Sequence, residues 1–372
     1  MLKYRFKQDN GSEYPDWERF PFNELYKSIP NKKFQIQSTE YLKNGNYIVI
    51  DQGQNYIAGF SNNKDKLFTD VPCIIYGDHT TFVKYSDKPF IVGADGTKLL
   101  KSNIFPKFAY YLLNANNVMP TGYHRHFSAL KEKIFYSATT LEEQQKIADF
   151  LSAVDNQIDI QRQRVEVMET QKKGLLDKVF SQELRFKQDD GSNYPDWEEK
   201  QLKDVSDCST ARKTDKLSSY VSTDNMIANF GGVIFDNDDE STIRSVEYRN
   251  NDILLSNIRP YFKKLWLSDR NGVCSSDVKV FRPNNVNPAF LYYALSLDKF
   301  FSYIMKNVTG TKMPRGNVDF MKKYKFMVSK SLEEQQKIAD FFTAIDNQID
   351  IEKQRLDTME TIKKGLLQQM FC

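Results

Sequence analysis

A 36-residue segment occurs twice in this chain, and it constrains the fold more than any other feature. Residues 141–176 and 332–367 are identical at 27 of 36 positions, at a constant offset of 191. An internal repeat of this length predicts two copies of one structural unit, each containing the same long segment.

Apolar residues within each copy are spaced alternately by four and three positions. The first copy has Ile147, Leu151, Val154, Ile158, Gln161, Val165, Met168, Lys172, Leu175 and Val179 at this spacing. The second copy has Ile338, Phe342, Ile345, Ile349, Glu352, Leu356, Met359, Lys363, Leu366 and Met370. A period of 3.5 residues predicts two coiled-coil helices. The alternative is that they are arms of ordinary helical domains packed on another part of the protein.

Two polar residues interrupt each seam, and they suggest how the helices pair. We expect an antiparallel pair with pseudo-two-fold symmetry and paired residue numbers that sum to 524, which places Lys172 against Glu352. A shift by one heptad would place Lys172 against Ile345, and a buried unpaired charge is costly. The residues expected to pair the helices are Ile158, Val165, Met168, Lys172, Ile349, Glu352, Leu356, Met359 and Leu366.

A second, shorter repeat begins each half of the chain. Residues 4–17 read YRFKQDNGSEYPDW and residues 184–197 read LRFKQDDGSNYPDW, at an offset of 180. Each leader is followed by a variable block and then by the long helix. The predicted domains are a first variable domain with its leader at 1–140, a helix at 141–183, a second domain at 184–331 and a helix at 332–372.

The variable blocks share a faint common pattern. Residues 106–113 (PKFAYYLL) and 288–295 (PAFLYYAL) each predict a helix with proline in its first turn. Asp95 aligns with Asp277 without a gap upstream of these helices, and strand-like runs precede the helices at 47–51, 71–76, 252–256 and 278–282. The predicted fold class is α+β, with two mixed α/β domains joined by two long antiparallel coiled-coil helices in a pseudo-two-fold internal repeat.

Composition limits the possible environments and partners. The 52 basic and 49 acidic residues nearly cancel, so a surface that binds a polyanion must be local. The four cysteines, Cys73, Cys208, Cys274 and Cys372, form no CxxC pair, which indicates reduced thiols in a cytoplasm. The first residues do not resemble a signal peptide, and no apolar run is long enough to span a membrane. We therefore expect a cytoplasmic protein with no membrane contact.

A search for catalytic motifs finds none of the common ones. There is no phosphate-binding GxxxxGK loop, no GxGxxG turn and no DPPY-like tetrapeptide of amino-methyltransferases. His124 and His126 make a poor metal site, because His79 is the only other histidine. Residues 195–200 superficially contain the PD and ExK of restriction nucleases, but these halves are adjacent, and Phe20 replaces Lys200 in the first copy. Trp17 and Trp197 more simply attach each leader to its domain, so we expect a non-catalytic binder without metal or cofactor.

A doubled domain on paired helices suits a ligand with two sites, and double-stranded DNA is such a ligand. A 36-residue helix is about 54 Å long, which exceeds one turn of B-DNA at about 34 Å. Polar and basic residues in loops could contact phosphates or base edges, although each could equally be a solvated loop residue. The candidate DNA-binding residues are His79, Thr80, Lys98, Tyr123, Arg125, Asn257, Arg259, Tyr261, Lys312 and Arg315.

These motifs together resemble the specificity subunits of type I restriction and modification systems. The resemblance rests on the repeated helix, the leader, the DQGQ, YGDHT and GADGTK segments, and GTKMPRGNVDFM before the second helix. It implies that each block is a target recognition domain for one half of a bipartite, asymmetric DNA sequence, and that the helices set the spacer. It also implies two methylation (M) subunits, which supply S-adenosylmethionine and adenine methylation, and ATP-driven restriction/translocase (R) subunits. Repeated residues such as Asp155–Gln157 and Asp346–Gln348 could dock the same partner twice.

Two other functions stay open at this stage. A self-sufficient DNA nuclease or methyltransferase would need a nucleotide or metal site that the sequence does not contain in recognisable form. A coiled-coil scaffold with no DNA role would show no sequence preference in gel shifts.

Overall fold

The structure is a computed structural model that describes residues 4–122, 124–236 and 239–371. The chain divides into two compact units. Unit 1 comprises Met1–Gln163 and Gln354–Cys372, and unit 2 comprises Arg164–Lys353. Each unit contains one variable block together with part of both long helices; unit 2 is a single stretch of sequence, whereas unit 1 combines two separate segments.

The elements of the first half of the chain begin with short strands. The strands are β1 (Glu18–Pro21), β2 (Tyr26–Ile29), β3 (Gln35–Ile36), β4 (Tyr47–Ile50), β5 (Gly59–Ser61), β6 (Leu67–Phe68), β7 (Cys73–Gly77), β8 (Val83–Ser86), β9 (Phe90–Gly93), β10 (Thr97–Ser102) and β11 (Ile134–Ser137). The helices are α1 (Phe22–Leu25), α2 (Pro106–Ala115), α3 (Phe127–Lys131) and the long α4 (Leu141–Phe180).

The second half repeats much of this order. Its strands are β12 (Glu198–Gln201), β13 (Ser206–Ser209), β14 (Arg212–Lys216), β15 (Tyr220–Val221), β16 (Thr242–Tyr248), β17 (Ile253–Ser256), β18 (Leu265–Leu267), β19 (Gly272–Cys274), β20 (Val278–Pro283), β21 (Val308–Thr309), β22 (Arg315–Gly316) and β23 (Lys325–Val328). Its helices are α5 (Leu202–Val205), α6 (Pro288–Leu295), α7 (Asp298–Ile304), α8 (Val318–Met321) and the long α9 (Leu332–Phe371).

One sheet has the same topology in both units. Unit 1 contains an antiparallel sheet in the order β2-β10-β7-β8, and unit 2 contains β13-β20-β17-β18 in the corresponding order. The small sheets β1-β11 and β12-β23 also correspond. The predicted fold class is confirmed, and so are the predicted helices after Pro106 and Pro288 and the four strand-like runs.

The second large sheet of each unit is where the copies diverge. In unit 1, β9 pairs in parallel with β4, whereas in unit 2 the corresponding β19 pairs antiparallel with β16. The parallel pairs β3-β9 and β15-β19 match. The repeated frame therefore carries two different outer sheets.

The strand register corrects one predicted correspondence. The burial pattern of β10 repeats in β20 at an offset of 181. The backbone N–H of Asp78 donates to the Gly96 carbonyl, and that of Asn257 donates to the Asp277 carbonyl, both at 2.7 Å. Asp277 therefore corresponds to Gly96, and the predicted match of Asp277 to Asp95 is wrong. One extra residue before α6 restores the offset of 182 at the helix.

Each leader is attached to the first turn of a long helix through a buried carboxylate. In unit 1, Trp17 Nε1 donates to Glu143 Oε1 at 3.0 Å, and Arg5 Nε donates to the same oxygen at 2.8 Å. Hydrogen bonding to the Glu143 carboxylate raises the pKa of Arg5 above its ordinary value. The two tryptophans thus attach the leaders, as predicted, and the exposed Asp196 carboxylate lies 3.5 Å from Arg185.

The seam of each unit packs the start of one long helix against the end of the other. Ile147 and Leu151 share a hydrophobic core in unit 1 with Leu366 and Met370. Lys363 Nζ lies 2.6 Å from Asp155, a pair whose numbers sum to 518. The antiparallel pairing within each unit agrees with the coiled-coil prediction.

Ion pairs in unit 2 contradict the predicted register of 524. Lys172 pairs with Asp346, and Arg164 lies 3.1 Å from Glu352, so these pairs sum to 518 and 516. The helices adopt the register shifted by one heptad. This register does not bury an unpaired charge, because the Lys172 ammonium extends out of the seam to the Asp346 carboxylate. It also lies 5.5 Å from the centroid of the Tyr293 ring. Burial of the fully enclosed Glu352 is compensated by Arg164 and by a 3.0 Å hydrogen bond from Gln348.

All nine residues predicted to pair the helices are buried or partly buried. Ile158, Val165, Ile349 and Glu352 are among the buried ones. These nine residues are thus turned away from solvent, and their role in pairing the two helices stays a prediction, whereas the 524 register is wrong.

Candidate nucleic-acid interface

Two loops of unit 2 that are distant in sequence meet at one end of the β13-β20-β17-β18 sheet. The backbone N–H of Arg259 donates to the Pro314 carbonyl at 2.8 Å, and that of Gly316 donates to the Asn257 carbonyl at 3.0 Å. The unit 2 loop surface is defined here as residues 257–264 and 309–317. It brings together all five candidate residues of the second block: Asn257, Arg259, Tyr261, Lys312 and Arg315.

This surface contains polar atoms whose hydrogen-bonding capacity is unused. Arg315 Nη2 donates to Asp277 Oδ2 at 3.3 Å, and the other guanidinium nitrogens have no hydrogen-bond partner among the described residues. Asn257 Oδ1 and Arg259 Nε are buried, and neither has a hydrogen-bond partner among the described residues. An unpaired buried polar atom costs about 1 to 3 kcal/mol, so these atoms are suited to a ligand that supplies the missing partners.

The backbone of the first loop is held in an uncommon conformation. A 3₁₀ turn, Pro260–Phe262, lies between two non-glycine residues in the left-handed region, Arg259 at φ 48° and Lys263 at φ 51°. The N–H of Asn229 donates to the Phe262 carbonyl at 2.9 Å. Strain of this kind persists only where neighbouring structure fixes the loop, and it is typical of binding sites.

A carboxylate at the start of α7 fixes the end of the same loop. Asp298 pairs with Lys263, and its other oxygen lies 2.7 Å from Lys173 on α4. Hydrogen bonds from Lys173 and then Lys263 hold the pKa of Asp298 below its ordinary value. The loop is thereby joined to the long helix within unit 2.

In unit 1 the corresponding loops meet around Asp78. The unit 1 loop surface is defined here as residues 78–82, 98 and 120–127, excluding Tyr123. The Asp78 carboxylate accepts from the Phe127 backbone N–H at 3.0 Å and lies 3.5 Å from Lys98 Nζ. The backbone N–H of His126 donates to the Asp78 carbonyl at 2.7 Å. The buried Asp78 therefore organises this surface.

Gln52 was not predicted, yet it holds the first of these loops. Its side-chain oxygen accepts from the His79 backbone N–H at 3.1 Å, and its amide donates to the Asp95 carbonyl at 2.8 Å. The Thr80 hydroxyl donates to the Gln52 carbonyl oxygen. Thr80 is therefore engaged in a structural contact. The DQGQ segment was the only sequence signal for Gln52, and it carries no spacing that identifies this role.

The remaining residues of the first block differ in position. Arg125 is exposed and makes no hydrogen bond or ion pair among the described residues, and Tyr123 lies outside the described residues. His126 is buried: its Nδ1 lies 3.2 Å from the Asp78 carbonyl oxygen, and its Nε2 accepts from the Thr121 N–H at 3.1 Å. Both imidazole nitrogens are thus occupied, which explains a histidine here without a metal.

Apolar side chains are exposed on these surfaces, and of these only Tyr261 was a predicted candidate; Phe262, Met313 and Phe82 were not. Tyr261 and Phe262 are 47% and 39% exposed, with ring centroids 4.7 Å apart, and Met313 is 50% exposed. Phe82 in unit 1 is 42% exposed. A sequence pattern cannot distinguish these rings from core aromatics, because exposure is decided by the path of the loop.

Comparisons with known proteins agree with this arrangement. The family model described as the type I restriction modification DNA specificity domain matches residues 14–170 and 194–361. The type I restriction enzyme MjaVIII specificity subunit of Methanocaldococcus jannaschii is 25% identical over 411 residues, which cover 97% of this chain and 94% of that protein. Both blocks and most of both long helices lie within the matched segments.

Solved structures show a similar fold. The S subunit of a type I restriction-modification system from M. genitalium has a TM-score of 0.58 at 17% identity, covering 100% of this chain and 99% of the other. A chain from a structure on complex assembly and conformational transition of the type I R-M system has a TM-score of 0.51 at 12% identity, covering 96% and 98%. Among the described residues, no helix combines the length and apolar character that crossing a membrane requires.

Proposed function

Because the chain belongs to the family of type I restriction modification DNA specificity domains, we propose that its two loop surfaces each read one half of a bipartite, asymmetric DNA sequence. The chain is the non-catalytic DNA-specificity subunit of a type I restriction-modification complex. In this proposal the unit 1 loop surface reads one half-site and the unit 2 loop surface reads the other.

The unpaired polar atoms of unit 2 carry the proposal. Asn257 Oδ1 and Arg259 Nε lack partners among the described residues, and Arg315 offers further donors beside them. Arginine recognises guanine and asparagine recognises adenine through paired hydrogen bonds in the major groove. Side-chain movement on binding would expose these two buried atoms, and DNA base edges would then supply the partners that the folded chain does not.

The two loop surfaces differ in chemistry, which favours two unlike half-sites. Unit 1 presents Lys98 and Arg125 around the buried Asp78. Unit 2 presents arginines and a longer loop, with eight residues between β17 and β18 against five between β7 and β8. The repeated leaders and helices form a common frame, so this difference is concentrated where the DNA would bind.

The same proposal assigns two methylation subunits and the restriction/translocase subunits as protein partners. Asn156 and Asn347 are exposed at equivalent positions, and so are Ile160 and Ile351. Such repeated surfaces suit two copies of one partner, which would bring the S-adenosylmethionine chemistry that this chain lacks. Asp155 and Asp346 contribute less to docking, because Lys363 and Lys172 already pair with them.

Methylome sequencing of cells that carry this chain with its methylation subunits tests the function. We expect one methylated motif with two halves and a fixed spacer. Arg259→Ala should then relax the sequence of one half only, and the matched variant Lys98→Ala should affect only the other half. Equal changes in both halves, or methylation without sequence preference, would contradict the assignment of one half-site to each unit.

The two rival functions predict different outcomes. Turnover by the purified chain alone with DNA, Mg²⁺ and S-adenosylmethionine would favour a self-sufficient enzyme. Absence of any sequence preference in the complete complex would favour a scaffold.

A further inference from the structure

Two neighbouring aromatic side chains of unit 2 are exposed on a surface that is otherwise rich in cations. Tyr261 and Phe262 lie in a loop that also carries Arg259, Lys263 and Lys264, beside the loop that carries Lys312 and Arg315. Exposed apolar groups grouped together on a surface mark an interaction site more often than isolated ones do. The cations around this pair favour a polyanion as the occupant.

The pair is presented rigidly. The two left-handed residues Arg259 and Lys263 flank the turn, and the Phe262 N–H donates to the Arg259 carbonyl at 3.0 Å. Lys264 Nζ lies 5.9 Å from the Phe262 ring centroid, and Lys263 is paired with Asp298. Rigid presentation reduces the entropic cost of ordering these rings on binding.

Unit 1 provides an internal comparison. Phe82 occupies the end of the corresponding loop, immediately before β8, and it is also exposed. The two loops differ in length and in most residues, and Phe82 corresponds to Lys264, since the Phe82 carbonyl accepts from the Gly77 N–H and the Lys264 carbonyl accepts from the Ser256 N–H. Each loop thus carries an exposed aromatic ring, at a different position.

We propose that Tyr261 and Phe262 form an aromatic wedge that enters a base-pair step of the second half-site and partly unstacks it. Apolar wedges of this kind kink DNA, and the energetic cost depends on the step, being lowest at flexible pyrimidine–purine steps. The wedge selects its half-site partly by deformability, in addition to the contacts of Arg259 and Arg315. This inference rests on the proposed function, because it requires that the unit 2 loop surface bind DNA.

The test uses the full chain assembled with its methylation subunits and a duplex that carries the methylated motif. 2-Aminopurine replaces one base at a time in the second half-site, at positions other than the methylated adenine, and its fluorescence reports unstacking. We expect a several-fold rise at one step on binding. The double variant Tyr261→Ala/Phe262→Ala should abolish the rise and weaken binding about tenfold, in line with the loss of stacking contacts.

Two matched variants control the experiment. Tyr261→Phe keeps the ring and should keep the signal, whereas Phe82→Ala alters the other unit and should leave the signal in the second half-site unchanged. Thermal melting of each variant checks that the fold is retained.

The outcomes separate this inference from the proposed function. Site-specific methylation without unstacking at any probed step would overturn the wedge and leave the proposed function intact. Loss of methylation-subunit binding in the double variant would overturn it too, because the rings would then serve a protein interface. Absence of specific DNA binding by the wild-type complex would refute the proposed function itself.

Discussion

The indole N–H of Trp197 donates to Oε2 of Glu334 at 2.8 Å, deep inside unit 2. Arg185 and the Ser329 hydroxyl donate to the same carboxylate, which is fully buried at the first turn of α9. Glu143 makes the equivalent contacts with Trp17 and Arg5 in unit 1. One buried carboxylate therefore joins leader and long helix in each unit.

Removing this carboxylate should destabilise the unit strongly. We expect Glu334→Ala to lower the free energy of unfolding by about 3 to 5 kcal/mol, because it leaves Arg185 and Trp197 without their acceptor. Urea denaturation measures the change. The control Asp196→Asn removes the other carboxylate near Arg185, which is 99% exposed, and should have little effect. Equal stability of both variants would show that the buried contact contributes nothing.

The register of the long helices can be measured by cross-linking. In a chain whose native cysteines are replaced by serine, cysteines at Leu175 and Phe342 should be joined by a short thiol cross-linker, because their numbers sum to 517. Cysteines at Leu175 and Ile349 test the register of 524 and should react poorly. Preferential reaction of the second pair would restore the register that the charge pattern predicted.

Arg315 should act at one half-site. Arg315→Ala is expected to weaken binding by about 1 to 3 kcal/mol, and only for DNA with the correct second half-site, if the guanidinium reads a base. Titrations of specific and scrambled duplexes with the methylation complex at several salt concentrations measure this. A uniform, salt-sensitive loss over all sequences would instead identify a phosphate contact.

Asp277 provides the complementary variant on the same surface. Its carboxylate holds Arg315 at 3.3 Å and would repel phosphate. Asp277→Asn should therefore strengthen binding to scrambled DNA while lowering discrimination, because Arg315 loses its orienting partner. Unchanged discrimination would show that Arg315 is positioned by other contacts.

Alkaline pH should destabilise unit 2 through Tyr324. Burial raises the pKa of this phenol to about 12. In the unfolded chain the Tyr324 phenol has a pKa of about 10. Because its pKa is higher in the folded state, the phenol contributes its full stability below about pH 10, and this contribution is lost as the pH rises toward 12. Tyr324→Phe should flatten the decline of unfolding free energy measured by urea between pH 9 and about 11. The variant should differ little from wild type in this decline below pH 9, where the phenol is neutral in both states.

The amino-acid sequence by itself determined the doubled architecture. The 36-residue repeat, the 3.5-residue period and the proline-initiated helices are local or periodic signals, and each corresponds to an element that the structure contains. Tertiary structure decided the helix register, because Lys172 escapes burial through Asp346, which lies outside the seam that the period identifies. It also decided the loop surfaces: Arg259 and Pro314 meet through a backbone hydrogen bond across more than 50 residues of sequence. No spacing encodes such a contact, since it depends on how the loop after β17 packs against the separate hairpin β21-β22.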